Sequence, residues 1–400
     1  MQGNTSGAFR NLAAGFGIAV WVGLLALPLT GPLPAVRIAA GIFTGGLIWA
    51  AASRAGRSRW FSGEAAARLR SRYHRFAQSP SRLQPLITGR KHVFLGLLVL
   101  ILAVLPAAIN NYYIDVLTLA GIYVVLALGL NIVVGMAGLL DLGYVSFYAI
   151  GAYTYALLST RLDVSFWVAL PLGGLSAALF GVALGFITLR LRGDYLAIVT
   201  LGFIQIVNLI LKNWDSVTNG PNGILGIGRP AIGGFVFSRP VHFYYLILAI
   251  AMLAVFSVDR LNRSRIGRAW IAIREDEIAA GAMGVDTTRM KVLAFALGAA
   301  WAGVAGVFFA GKFAFVSPES FTFLESVIVL SMVVLGGMGS IPGVIIGALI
   351  IIILPELLRE FSNYRMLIFG LALTGMMIFR PQGLIGNPRR LLESHSEGKG

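Results

Sequence analysis

The sequence has no cysteine, only four histidines and few charged residues. The missing cysteine excludes disulfide bonds and thiolate chemistry. The histidines are too scattered to indicate a metal site; they are His74, His92, His242 and His395. Charged residues make up 12% of the chain, against about 25% in ordinary soluble domains. A chain with so little charge does not have the composition of a soluble protein.

Apolar sequence fills the chain instead: 57% of the residues are hydrophobic, and the mean hydropathy is +0.82. A helix that spans a bilayer needs about 20 mostly apolar residues. The apolar runs predict an all-α polytopic membrane protein with about 10–12 transmembrane helices, ten if the glycine-broken fifth and tenth runs are re-entrant. The runs cover residues 9–29, a second stretch ending at 52, and then 93–109, 113–135, 138–159, 166–189, 195–211, 241–258, 292–310, 323–335, 343–358 and 364–379.

Positive charge exceeds negative charge, with 32 Lys and Arg residues against 17 Asp and Glu residues. Such an excess is often seen in nucleic-acid-binding proteins, but here the positive residues stand in short loops between apolar runs. Roughly three quarters of them fall in loops on one side of the predicted topology, and this bias orients those loops toward the cytoplasm. The sequence therefore predicts cytoplasmic N- and C-termini and gives no support to a nucleic acid partner.

The charge pattern also divides the chain into four regions. They are two N-terminal spans (1–52), a basic cytoplasmic loop (53–92), the main membrane domain (93–384) and a cytoplasmic tail (385–400). Within the basic loop, Leu69, Tyr73 and Phe76 have helical spacing and arginines lie around them. That pattern is typical of a helix lying among the lipid headgroups, and a disordered basic loop is the alternative.

The longest charged interruption in the second half of the chain is the segment 259–291. Asp276 is placed to cap a short helix whose first turn holds Glu277, and Gly284 is placed to end that helix in the left-handed conformation. Asp286 can then cap the helix that enters the next span. A short helix held between two spans is an element that a soluble partner could push. A solvated connecting loop explains the same residues equally well.

Glycines and polar residues interrupt the apolar runs at a few positions. The break Gly135-Met-Ala-Gly138 precedes Asp141, and a carboxylate beside a broken helix is a candidate functional site. An interfacial aspartate on the cytoplasmic side is the alternative. Polar side chains within spans line a solute path or bond neighbouring helices, and the second use is commoner. The candidates for a translocation path are Asn131, Asp141, Thr200, Gln205, Asn208 and Glu325.

The sequence carries no convincing catalytic motif. Residues 306–312, GVFFAGK, have the spacing of a P-loop, but Phe313 stands where Ser or Thr is needed, and the run lies inside an apolar span. We therefore predict that this chain does not hydrolyse ATP. No paired carboxylates or Ser/His set indicates an enzyme, and no ladder of buried carboxylates or histidines indicates proton-coupled transport. A transporter of this composition would take its energy from a partner.

Several blocks, in order along the chain, resemble the permeases of branched-chain amino acid ABC importers. The segment 267–280, GRAWIAIREDEIAA, resembles the cytoplasmic coupling loop of that family. Further similar blocks stand at 143–153, 189–203, 317–323, 334–340 and 380–384. The two extra N-terminal spans and the basic loop are similar to the larger of the two permease subunits, the LivM type. One departure is Asn219, where the family usually has glycine.

The resemblance implies a heteromeric importer in the bacterial inner membrane. Its other members would be a second homologous permease, two cytoplasmic ATP-binding subunits and an extracytoplasmic solute-binding protein, with membrane lipid around the complex. ATP and Mg²⁺ would be held by the ATP-binding subunits, and this chain would bind no cofactor. The resemblance also implies a coupling helix seated in an ATPase cleft; the residues assigned to it are Arg274, Glu275, Asp276, Glu277, Ala279, Ala280, Gly284 and Asp286.

Two alternatives to a branched-chain amino acid importer are left open. A permease of the same architecture could carry urea, an amide or another amino acid, because the binding protein sets much of the selectivity in such importers. A stand-alone ion-coupled carrier belongs to a different class of transporter. Only the carrier would take up solute when this chain is reconstituted by itself.

Overall fold

The structure is a computed structural model that describes residues 102–107, 109–188, 191, 193–357, 370, 374 and 383–384. The two predicted N-terminal spans, the basic loop with its interfacial helix and the basic tail lie outside these residues. Most of the third and twelfth predicted spans lie outside them as well. Within the described residues the regular structure is almost entirely helical, as the composition predicts.

Helices, most of them long, form the described part of the chain. Helix α1 (Asn111–Leu130) continues directly into a π-helical turn (Asn131–Met136). The helices that follow are α2 (Val145–Leu162), α3 (Phe166–Thr188), α4 (Asp194–Asn213), α5 (Asp215–Thr218), α6 (Pro240–Arg263), α7 (Arg265–Glu275), α8 (Glu277–Ala282), α9 (Thr287–Phe313), α10 (Phe323–Gly336) and α11 (Ile341–Leu357). Six segments of this part are long and apolar enough to cross a bilayer. The predicted all-α polytopic membrane fold is thus confirmed.

Helix α1 lies at the centre of the described bundle and packs against α6, α9, α10 and α11. Of its most apolar window, extended through the π-helical turn, 72% is buried inside the protein, against 28% for α4. Helices α3, α4 and α6 instead expose large apolar side chains, among them Leu179 and Phe256. An apolar helix with one face outside the protein is suited to lipid or to a second membrane subunit.

Three glycines bring α2, α3 and α9 into backbone contact. A Cβ atom on Gly151 of α2 would lie 2.2 Å from the Gly303 carbonyl oxygen of α9. A Cβ atom on Gly303 would in turn lie 2.3 Å from the Gly173 carbonyl oxygen of α3. Small residues allow this close approach, which supplies much of the association energy between helices in lipid. The three helices are therefore held together by contacts that tolerate no side chain.

Three short strands lie in the segment between α5 and α6, and a fourth follows α9. Strand β1 (Ile224–Leu225) pairs antiparallel with β4 (Phe315–Val316), which follows α9, and Ile224 lies opposite Val316. Strand β2 (Ala231–Ile232) pairs with β3 (Phe235–Val236) in a hairpin. The β1–β4 pair ties this long connection to the end of α9.

Asn219, which stands where the family resemblance leads us to expect glycine, has a backbone conformation that suits glycine. Its φ is +61°, in the left-handed region that glycine adopts without strain. Asparagine is one of the few other residues that enters this region routinely, because its short amide bonds locally. The Asn219 amide donates a hydrogen bond of 2.8 Å to the Gly223 carbonyl oxygen. The substitution therefore fits the turn.

The fifth predicted span begins later than the sequence indicates. We predict a helix from residue 138, whereas α2 begins at Val145. Gly138 has a φ of +72°, and residues 137–144 are irregular. The tenth predicted run also ends at glycine, because Gly337 follows α10 with a φ of +110°. The fifth predicted run is thus irregular up to residue 144, and the tenth stops at Gly337.

Candidate functional site

The segment between α6 and α9, residues 264–286, folds into two helices, α7 and α8. We call it the connecting segment. Our sequence-based expectation of a single short helix is therefore wrong for its first half. Ser264 caps α7 by accepting a hydrogen bond of 3.2 Å from the Gly267 N–H. Gly267, Trp270 and Ile273 are buried at three-residue spacing, which gives α7 one inward face and one exposed face.

The predicted capping residues of the connecting segment are confirmed. The Asp276 carboxylate accepts hydrogen bonds of 2.8 and 3.0 Å from two backbone N–H groups of α8. The Asp286 carboxylate accepts one of 3.0 Å from the Arg289 N–H at the start of α9. Gly284 has a φ of +85°, as a left-handed helix end requires. With both ends capped, the connecting segment is an ordered element. This favours a helix on which a soluble partner could act over a solvated connecting loop.

Three side chains on the inner face hold the connecting segment against the spans. The fully buried Trp270 donates its indole N–H to a backbone carbonyl in the first turn of α9, at 2.7 Å. The Glu277 carboxylate pairs with the Lys291 ammonium, whose side chain is only 7% exposed. The Arg274 guanidinium donates a hydrogen bond to the Gly135 carbonyl oxygen in the π-helical turn. The segment is thus joined to both α9 and the end of α1.

The outer face of the connecting segment is apolar at its centre. Ile278 and Met283 are 71% and 85% exposed, and Glu275 and Ala279 beside them are also exposed. Large exposed apolar side chains with polar residues around them are suited to contact with a partner protein. The residues assigned to the ATPase contact therefore divide between two faces. Arg274, Glu277 and Ala280 are at least partly buried, whereas Glu275, Asp276, Ala279, Gly284 and Asp286 are exposed.

Gly284 gives the first testable prediction. No atom lies within 4 Å of the position a Cβ would take, so a side chain there is strained only by the positive φ. We expect Gly284→Ala to cost about 1 kcal/mol, which speeds hydrogen exchange of the α8 amides by about fivefold. Gly284→Asn should cost less, because asparagine tolerates this conformation. Equal effects of the two variants would contradict the argument.

The break after α1 is the second candidate region. The side chain of Asn131 is fully buried, and its amide oxygen accepts a hydrogen bond of 2.8 Å from the Gly339 N–H, in the turn between α10 and α11. Single π-helical turns occur often at functional sites. Here the turn ends α1 and leads into the irregular residues 137–144. Asn131 therefore joins the break after α1 to the glycine-rich turn between α10 and α11 by a hydrogen bond.

Asp141 is fully buried within this irregular stretch. Its Oδ1 accepts a hydrogen bond of 2.8 Å from the Gly143 N–H, while Oδ2 has no partner. The neighbouring Leu142 N–H donates to the Thr200 hydroxyl of α4 at 3.0 Å. A buried carboxylate oxygen without a partner is costly. Its burial favours the functional interpretation over an interfacial aspartate, which would be solvated.

Gln205 and Asn208 face a separate cavity of about 230 Å³ between α4 and the start of α10, which Thr322 also lines. The Asn208 amide donates hydrogen bonds of 3.0 and 3.3 Å to the carbonyl oxygens of Pro318 and Phe321. Asn208 therefore bonds a neighbouring segment, which is the commoner use of a polar residue in a span. Gln205 is exposed and faces the cavity.

The six candidate path residues do not form one lining. Asp141 and Thr200 come together at the break, Asn131 contacts the turn after α10, and Gln205 and Asn208 share the cavity. Glu325 is separate again, and it accepts a hydrogen bond of 2.6 Å from the Tyr123 hydroxyl. The structure thus brings these residues together in two pairs and leaves Asn131 and Glu325 apart from them.

The P-loop-like run 306–312 is helical within α9, and so its backbone amides are not free to hold a phosphate. Lys312 pairs instead with Asp115 of α1, at 3.0 Å. Sequence reasoning missed two residues: Trp270 on the inner face of the connecting segment, and Lys291 of α9, which pairs with Glu277. A tryptophan inside a charged segment was the available signal. Among the described residues, no group of three or more His, Cys, Asp or Glu side chains is placed to hold a metal ion.

Comparison with known proteins identifies the family. The family described as "Branched-chain amino acid transport system / permease component" matches residues 112–379. The high-affinity branched-chain amino acid transport system permease protein LivM of Escherichia coli (strain K12) is 46% identical over 340 residues, which cover 78% of this chain and 80% of LivM. LivM of Salmonella typhimurium is also 46% identical, over 79% of this chain and 81% of its own.

A second group of relatives is more distant. The permease protein LivH of Salmonella typhimurium, from the same kind of transport system, is 28% identical over 68% of this chain and 93% of its own. No solved structure matches the chain. Because the family match covers more than half of the chain and the LivM relatives align over most of both lengths, this chain belongs to the family of branched-chain amino acid transport permease components.

Proposed function

We propose that this chain is the larger permease subunit of an ATP-binding cassette importer that moves branched-chain amino acids inward across the bacterial inner membrane. The two LivM relatives belong to a branched-chain amino acid transport system, which supports the substrate class. One observation of the structure carries the proposal: an exposed apolar patch around Ile278 and Met283 is presented on helices held firmly against the spans. Such a patch suits docking to a soluble partner.

In this proposal the chain works in a complex. Two cytoplasmic ATPase subunits bind ATP and Mg²⁺, a second homologous permease completes the membrane part, and an extracytoplasmic binding protein delivers the solute. Similarity of this chain to both LivM and LivH supports a pair of related permeases. The N- and C-termini and the connecting segment lie in the cytoplasm, in agreement with the excess of Lys and Arg on that side.

The mechanism we propose converts ATPase movement into alternating access. Closure of the ATPases on ATP displaces α8, and the displacement passes to α6 and α9, which flank the connecting segment. In this mechanism the buried Asp141, whose Oδ2 has no partner within the protein, is the candidate acceptor for the ammonium group of an amino acid. Gln205 offers a neutral amide at the cavity beside α4.

Uptake by reconstituted proteoliposomes tests the proposal. With the second permease, both ATPases, the binding protein and ATP, labelled leucine should accumulate, and excess urea or acetamide should not compete with it. This chain alone should accumulate none. Leucine accumulation by the lone chain, with or without an ion gradient, would identify a stand-alone carrier. Competition by urea or an amide would identify a different substrate.

Docking through the outer face gives a separate prediction. Ile278→Asp should reduce ATPase retention on the purified permease by about tenfold or more, because central apolar contacts dominate binding energy at interfaces. Ile232→Asp is the matched control, since Ile232 is also exposed, at 56%, but lies in the β2–β3 hairpin between α5 and α6. Retention unchanged by Ile278→Asp would place the ATPase contact elsewhere.

A further inference from the structure

We infer that Arg274 is a positioning residue that joins the connecting segment to the broken end of α1, and that it transmits movement of this segment instead of binding the ATPase. The inference rests on the proposed function, because it assigns one face of the coupling element to docking and the other to transmission. It changes the role that the family resemblance implies for Arg274.

The contact between Arg274 and the break is direct. The guanidinium donates to the Gly135 carbonyl oxygen, and the side-chain stem lies on Gly138. A Cβ added to Gly138 would lie 2.7 Å from Cγ and 3.1 Å from Cβ of Arg274. Since Gly138 also has a φ of +72°, this position favours glycine for two independent reasons. The arginine is therefore packed against the break as well as hydrogen-bonded to it.

The end of α1 is suited to receive a cation. The last carbonyl groups of a helix lack partners within the helix and carry partial negative charge. Here the N–H groups of Ala137 and Leu139 bond the carbonyls of Ile132 and Val133. The Gly135 carbonyl bonds Arg274. A guanidinium holds such a site in a fixed orientation, because its planar donors are arranged rigidly.

Movement at this contact has a route into the membrane domain. Residues 135–138 continue directly to Asp141, whose Oδ2 is unpaired. The same stretch bonds α4 through the Thr200 hydroxyl. Asn131, one turn earlier, bonds the Gly339 N–H in the turn after α10. These contacts form a continuous route by which a displacement of Gly135 and Gly138 would be passed to α4, to the turn after α10 and to the buried carboxylate.

The other two inner-face side chains, Trp270 and Glu277, hold the connecting segment to a different helix. Trp270 and Glu277 both bond the start of α9, through a backbone carbonyl and the Lys291 ammonium. Arg274 bonds the break after α1. Docking and transmission should consequently be separable by substitution: the outer face around Ile278 serves the first, and Arg274 serves the second.

The test compares Arg274→Gln and Arg274→Lys with Ile278→Asp in the complete reconstituted importer. We expect Arg274→Gln to keep ATPase retention and ATP hydrolysis within about twofold of the unaltered complex, while leucine uptake per ATP falls by about tenfold. Arg274→Lys should recover part of the uptake, since it retains a cationic donor. A merely structural role would lower retention, hydrolysis and uptake together.

A second variant, which retains the arginine, covers the case in which Arg274→Gln does not fold. Gly138→Ala leaves the guanidinium in place but displaces its stem, and it should also lower uptake per ATP while ATPase retention persists. Loss of retention in both variants, comparable to that of Ile278→Asp, would make Arg274 a docking residue and overturn the inference. Uptake per ATP unchanged in either folded variant would overturn it too. Failure of the unaltered complex to transport leucine would instead refute the proposed function.

Discussion

Replacing Gly303 with leucine is expected to prevent the membrane domain from folding. A Cβ at this position would lie 2.3 Å from a backbone oxygen of α3 and 2.6 Å from the Ala177 Cβ. Backbone atoms cannot rotate aside as a flexible side chain can, so the helices would have to separate. Overpacking typically costs about 1–3 kcal/mol, and it costs more where the neighbouring atoms are backbone and cannot move, as here. Thermal unfolding of the detergent-solubilised chain should show little or no folded protein.

The matched control for Gly303→Leu is Gly202→Leu on α4. No atom lies within 4 Å of a Cβ built on Gly202. Both changes replace a helical glycine with leucine. The replacement by itself stabilises a helix by about 1 kcal/mol, because leucine has the higher helix propensity. The control should therefore unfold at the same temperature as the unaltered chain or higher. Similar unfolding temperatures for the two variants would mean that the glycine contact between α3 and α9 is not tight.

Reversing the charge of Glu277 is expected to detach α8 from α9. The Lys291 side chain is 7% exposed and that of Glu277 is 22% exposed, so little water is available to solvate an unpaired ammonium. Breaking a buried pair by removing one partner costs about 3–5 kcal/mol, and Glu277→Lys adds repulsion. Hydrogen exchange of the α8 amides should become much faster. The double variant Glu277→Lys, Lys291→Glu should restore most of the protection.

An exposed ion pair provides the control. Arg263 and Asp259 pair at 2.9 Å on α6, with side chains 70% and 43% exposed. Surface pairs of this kind contribute about 0–1 kcal/mol, so Arg263→Ala should leave the exchange of α8 unchanged. If the double reversal failed to restore protection, the position of α8 would depend on something other than the attraction between Glu277 and Lys291.

The parts of the connecting segment that could be predicted from the sequence are governed by local rules. The caps at Asp276 and Asp286 and the helix end at Gly284 each depend on residues within four positions. Helix α7 could have been identified from the spacing of Gly267, Trp270 and Ile273, but its several charges favoured a loop. Local chemistry thus predicted where helices begin and end, but it did not predict how many helices the segment contains.

The division of the connecting segment into two faces could not be predicted. Arg274 looks like one more charge in a charged loop, and its partner Gly135 is 139 residues away in the sequence. The same limit applies to Asn131, whose partner Gly339 is 208 residues distant. Polarity could nominate these residues as candidates. Their partners become visible only in the folded protein, where α1 packs against the connecting segment and against the turn after α10.

The glycine contact among α2, α3 and α9 has a mechanical consequence. Helices that touch backbone to backbone have no layer of side chains that could deform between them, so these three should turn and tilt as one stiff unit. Bending during a transport cycle is then confined to the margins of that unit. Among the spans that the structure describes, helix α4, of whose most apolar window only 28% is buried, has the greatest freedom to change its tilt.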